Sequence, residues 1–161
     1  MADAPRKAGS RERVRAFLQD HGLAEEIVHF EQSTKTAQMA ADAMGCELGQ
    51  IVKSLVFVVG DRPVVALVAG DRRGDTDAIA ALLGGGEVRF ADADTVRTAT
   101  GYAIGGVSPF ALPAELPIFA DASLSRFEVV YPAAGTPASM VRVPLAQLLE
   151  LSGAHVAEIA Q

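Results

Sequence analysis

Two short stretches hold the residues best suited to chemistry. The first is "IVKSLVFVV", residues 51–59, in which Lys53 interrupts an otherwise apolar run. Burying an ammonium without a partner costs on the order of several kcal/mol, so Lys53 must meet an anion, snorkel past a strand end or shift its pKa. Two placements satisfy this. A strand-end lysine reaches solvent, or a lysine on the floor of a cleft faces a phosphate or carboxylate. The second stretch is "GYAIGGVSPF", residues 101–110. Its glycines either supply positive φ in a tight connection whose exit Pro109 stiffens, or they bare a row of N–H groups to an anionic oxygen, as an oxyanion hole does.

Other catalytic arrangements lack support. His21, His29 and His155 are scattered, with no H-E-x-x-H pairing for a metal, and the single Cys46 excludes a thiolate cluster or an internal disulfide. Cys46 reads as a packing residue beside a helix-ending Gly45. "GVSPF" departs from a G-x-S-x-G nucleophile elbow at Phe110, and neither "GDRRGD" nor "LLGGGE" has the layout of a P-loop. A net charge of -6 argues against wholesale coating of nucleic acid, though not against a small basic patch gripping one RNA end. Arg72 and Arg73, after "VALVAGD", either contact RNA phosphates or form a solvated loop.

The elements that must carry these residues fit one mixed α/β domain. The chain has 161 residues, of which half are apolar and 21% charged, enough for a core without staples. Residues 1–9 read as a flexible tail, with no apolar signal core, so a cytoplasmic protein without a membrane span is expected. Ser10 is a plausible N-cap for a helix 11–20. "EIVHFE" suggests a strand, and "TAQMAADAMG" a helix capped by Thr36 and stopped by Gly45. Two apolar runs around "GDRP" predict a hairpin covered on both faces. Further helices are expected at "DTDAIAALLG", capped by Asp75 or Thr76, at "DADTVRTATG", capped by Asp92, and after Pro144 at position N1. "EVRFA", "PIFAD", "RFEVVYPAAG" and "SMVRV" read as strands, and "HVAEIA" as a strand or helical turn.

"TAQMAADAMGCELGQIVKSLVF", "VALVAGDRR", "TGYAIGGVSPF" and "YPAAG", in that order, resemble the YbaK/EbsC family, related to the editing insertion domain of prolyl-tRNA synthetase. The likeness runs from about residue 11 to the end. It implies an α+β domain at 10–161, with a mixed, largely antiparallel curved sheet surrounded by helices. It also implies a trans-editing deacylase that hydrolyses the ester of a mischarged tRNA, often tRNA(Pro), without metal or cofactor. The partners implied are the 3′ end of an aminoacyl-tRNA and a synthetase, with neither DNA nor membrane. The family's catalytic lysine falls on Lys53, and its loop on Gly105, Gly106, Val107, Ser108 and Pro109. Ser54, Phe30, Thr36, Gly70 and Gly135 fall on substrate-binding positions. Met140 stands about where some relatives carry an acidic residue. In this scheme a side chain at either glycine of the pair 105–106 would fill the space of the substrate carbonyl. The alternative is a non-catalytic module that holds a tRNA end or a nucleotide.

Overall fold

A computed structural model describes residues 9–32 and 34–161, so all but Gly9 of the expected tail lies outside the described residues. In chain order the elements are α1 (Ser10–Asp20), β1 (Ile27–His29), α2 (Ala37–Met44), β2 (Ile51–Val59), β3 (Arg62–Ala69), α3 (Thr76–Leu82) and β4 (Val88–Phe90). They continue with α4 (Ala93–Thr100), β5 (Ile118–Asp121), β6 (Val129–Pro132), β7 (Ser139–Val141), β8 (Val143–Pro144), α5 (Leu145–Ser152) and β9 (His155–Ala157).

The β2–β3 hairpin is the spine of the molecule, an antiparallel ladder from Val52↔Ala69 to Val59↔Arg62. Strands run in the order β8-β6-β2-β3-β5-β9, and β4 also pairs with β2. Pairing is antiparallel for β2–β3, β2–β4 and β6–β8, and parallel for β2–β6, β3–β5 and β5–β9. A separate antiparallel pair joins β1 to β7. The continuous Val, Leu and Phe runs have the reason the sequence suggested: both sheet faces are covered. Val52, Val56, Val58 and Leu67 pack with Val14, Leu18, Phe110 and Leu148 on one face. Phe57, Val64, Ala66 and Val68 meet Ile79 and Ile159 on the other. Each of these side chains apart from Ala66 contributes about 1.5–3 kcal/mol on burial.

Local chemistry sets the helix starts. Thr36 Oγ1 accepts the Met39 N–H at 3.1 Å, Asp75 Oδ1 those of Asp77 and Ala78, and Asp92 Oδ1 that of Thr95 at 2.8 Å. Two expectations are corrected. Gly9, not Ser10, is the N-cap of α1, and no side chain caps that helix. Pro144 is the N-cap of α5 rather than its first residue, because its backbone still pairs with Val129 in β8. The chain closes as a strand, with His155–Ala157 laid parallel on β5. Asp121 fixes this end: its carboxylate accepts the Ile159 N–H at 2.8 Å, the Ser123 N–H at 3.0 Å and the Ser123 hydroxyl.

Candidate functional site

The sheet has a gap, and the site is built there. On one edge of β2, β6 pairs only with Ile51 and Val52, and β4 only with Phe57 to Val59. Gly70 N–H donates to the Ile51 carbonyl on the β3 side, and Ala91 N–H to the Val56 carbonyl on the opposite side. Backbone groups alternate between edges along a strand, so the N–H and C=O of Ser54 face the gap, where no strand pairs. The β2 burial pattern dips at the same place: Lys53, Ser54 and Leu55 are half-buried between fully buried neighbours. A cleft of about 510 Å³ opens on this stretch. The N-terminus of α2 with Thr34 and Lys35, the turn Thr136–Pro137, Phe90, Ile104, Gly105 and Val107 complete its walls. Thr34 closes one end by donating its N–H and its hydroxyl to the Pro137 carbonyl, at 3.1 and 3.3 Å.

Lys53 lines this cleft, and its ammonium donates to the Arg72 carbonyl in the turn after β3. It is therefore engaged rather than waiting bare, though an ammonium has three donors and keeps two for a ligand. Burial lowers its pKa, Asp71 opposes that shift, and Arg73 adds to it. Asp71 is itself held by Arg126 through two bonds of 2.8 and 2.9 Å, and the bond from that guanidinium holds its carboxyl below the usual range. Among the residues lining the cleft are two lysines and no carboxylate, in a chain of net charge -6. The buried Ser54 Oγ has no hydrogen-bond partner among the described residues.

The two glycines of the loop have different reasons. Gly106 N–H donates to the Ala103 carbonyl at 3.0 Å, closing a β-turn with Gly105 at its third position and φ +84°. That position needs positive φ, and glycine supplies it without strain. A Cβ on Gly105 would meet only Pro137 Cγ at 3.8 Å, on the cleft side. A Cβ on Gly106 would stand 2.9 Å from the Thr136 backbone. The expectation that both glycines make room for substrate is thus corrected. Gly106 is bare to pack against the 136–137 turn, and its N–H is spent in the loop. Phe110 N–H goes to Ser108 Oγ at 3.3 Å, and Pro109 has no N–H. The N–H groups of Gly105, Val107 and Ser108 donate to no protein acceptor among the described residues, and Gly105 and Val107 line the cleft. The loop is braced from behind: the Tyr102 hydroxyl donates to the Phe110 carbonyl at 2.5 Å, and buried Phe110 stacks on Phe17.

Of the remaining residues expected from the sequence, Thr36 and Ser54 line the cleft, as does Met140. Phe30 packs behind it against Ala40, Ala41, Ile51 and Met140. Gly70 and Gly135 do not line it. A Cβ on Gly70 would run into the Leu48 carbonyl, and one on Gly135 would lie 2.8 Å from the Ser10 carbonyl. Their bareness is explained by chain packing. Arg72 and Arg73 also lie off the cleft wall, where the Arg73 backbone pairs reciprocally with Gln161. Burial, then Glu47, raises the Cys46 thiol, which suits a packing residue and not a nucleophile. Lys35, Phe90, Ile104, Thr136 and Pro137 are cleft residues that the sequence did not single out.

A family model described as an aminoacyl-tRNA editing domain matches residues 31–151. A Bacillus subtilis protein, named as uncharacterized protein YwhH, is 33% identical over 89% of this chain and 91% of its own length. An Enterococcus faecalis protein, provisionally named the Cys-tRNA(Pro)/Cys-tRNA(Cys) deacylase EbsC, is 25% identical over 97% of each chain. A crystal structure provisionally described as a trans-editing enzyme for prolyl tRNA synthetase superposes with a TM-score of 0.86 at 40% identity, covering 96% of this chain and 99% of that one. No helix among the described residues is long and apolar enough to cross a membrane. The chain belongs to the aminoacyl-tRNA editing domain family, whose members are deacylases that hydrolyse mischarged tRNA.

Proposed function

We propose that this protein removes a small, uncharged amino acid from a mischarged tRNA, tRNA(Pro) being the first candidate, at the cleft on the open edge of β2. The observation that carries the reading is the co-location of Lys53 with the unspent amides of Gly105 and Val107 on one cleft that bears lysines and no carboxylate. A phosphate of the tRNA 3′ end pairs with Lys53. The ester carbonyl turns toward the Gly105 and Val107 N–H groups, which stabilise the oxyanion formed when water adds to the carbonyl carbon. One such donor is typically worth roughly 3 kcal/mol. The carbon–oxygen bond to the ribose then breaks, and the leaving ribose oxygen takes the proton that the water gives up. Among the described residues no carboxylate or histidine lines the cleft to serve as a base. The neighbouring ribose hydroxyl orients the water, as the family resemblance implies.

The amino-acid side chain enters between Ala37, Ala40, Ile51 and Met140, an apolar corner with no charged group. Such a corner separates neighbours differing by one methylene by only about 1–3 kcal/mol, so it excludes by size. The relatives named for Cys-tRNA(Pro) deacylation and prolyl trans-editing support tRNA(Pro). The test is a panel of alanyl-, seryl-, threonyl-, cysteinyl- and 2-aminobutyryl-tRNA(Pro), each with a second tRNA as control. Fastest hydrolysis of the small apolar esters is expected. Binding of the tRNA end without hydrolysis of any ester would replace this reading with a non-catalytic module.

A further inference from the structure

We infer that Phe90, with Ile104 beside it, forms a stacking platform for the terminal purine base of the tRNA. This rests on the reading of the cleft as the site for the tRNA 3′ end. Phe90 and Ile104 are 67% and 59% exposed, the two most exposed large apolar side chains among the described residues. Both line the same cleft, although they come from different elements. Phe90 ends β4, and Ile104 is the second residue of the turn that presents Gly105. Nothing in the fold requires either to face solvent.

Phe90 is also held in place. It pairs with Phe57 across the β2–β4 ladder, and their rings lie 4.6 Å apart between centroids, with Phe57 fully buried beneath. A rigid, exposed aromatic face at the mouth of a cleft lined by Lys35 and Lys53 suits a ligand that is flat, apolar on its faces and anionic along its backbone. A nucleotide has that combination, and bases stack on aromatic side chains in single-stranded recognition. Every charged tRNA carries its ester on a terminal adenosine. With the carbonyl against Gly105 and Val107, the base projects toward the rim these two side chains form.

The test uses an acceptor-stem minihelix with 2-aminopurine in place of the terminal adenine, joined to alanine by a non-hydrolysable amide. Stacking quenches this base. The wild-type protein should quench it on binding. Phe90→Ala and Phe90→Leu should abolish the quench and weaken binding about tenfold, in line with the typical worth of one stacked base, while Phe90→Tyr restores both. The melting temperature checks the fold of each variant. Wild-type quenching and affinity in Phe90→Ala and Phe90→Leu would remove the platform and leave the deacylase reading intact. A wild-type protein that neither binds this minihelix nor hydrolyses its ester counterpart would remove both.

Discussion

Two hollows of similar size flank the loop that follows α4. One is the cleft on β2, about 510 Å³. The other, about 460 Å³, lies between this loop, β5 and the end of α5. Gly105 and Val107 face the first, Pro109 and Ala111 the second. The cleft has lysines, unspent amides and an unpaired strand edge. The second hollow has Glu115 and His155, and three of its lining residues are Pro109, Pro113 and Pro117, which have no N–H to give. Size does not separate them. Charge does, two lysines against Glu115, and it favours an ester borne on an anionic RNA end on the first side.

The largest effect that sharpens this contrast is expected at Lys53. Lys53→Ala should lower kcat/KM for a hydrolysed ester by about a hundredfold or more, some 3 kcal/mol of transition-state stabilisation, with the melting temperature nearly unchanged. Retained activity would take Lys53 out of the site. Next, the paired glycines should respond differently. Gly105→Ala keeps open space around the new Cβ but strains a residue at φ +84°, so kcat should fall about tenfold while minihelix affinity holds. Gly106→Ala drives a Cβ into the Thr136 backbone and should lower the melting temperature first, as overpacking by about 1–3 kcal/mol does. Equal behaviour of the two variants would refute the separate roles given to them.

Smaller effects follow from titration. Burial depresses the Lys53 pKa, so its charge is present below that lowered value and lost as pH rises through it. Binding of the amide-linked minihelix should therefore weaken at a lower alkaline pH than an exposed lysine would give, and Lys53→Arg should remove that limb. Burial pushes the Asp121 carboxyl up, but the bonds from Ser123, Ile159 and Ala160 outweigh it and hold the pKa below the usual range. Its stabilisation is full above the unfolded carboxylate value and is lost as pH falls through the depressed folded one. Thermal unfolding at decreasing pH should show that loss, and Asp121→Asn should flatten it. The smallest effect should come from the second hollow: Glu115→Ala and His155→Ala should change deacylation less than about twofold, as surface substitutions usually do.

What the sequence made legible was what local chemistry decides. Thr36 and Asp92 announce their helices because a cap acts within three residues. The β2–β3 hairpin is readable from two apolar runs around one turn. Lys53 and the 105–109 loop stand out because each is locally anomalous. Contacts between distant parts of the chain stayed hidden. Gly70, Gly106 and Gly135 are bare because of Leu48, Thr136 and Ser10, and no local pattern gives those neighbours. Phe90 reads as an ordinary strand residue, since its exposure depends on where β6 and β4 stop along β2. Ser10 looked like a cap, but Gly9 already takes that position and no hydroxyl bond replaces it.

The most direct measurement is backbone amide NMR during titration with alanyl-adenosine 5′-phosphate joined by a 3′ amide. The amides of Gly105, Val107 and Ser54 should shift most, with residues 111–119 of the second hollow unmoved. Shifts concentrated at 111–119, or none at Gly105 and Val107 on saturation, would contradict the assignment of the cleft as the hydrolytic site.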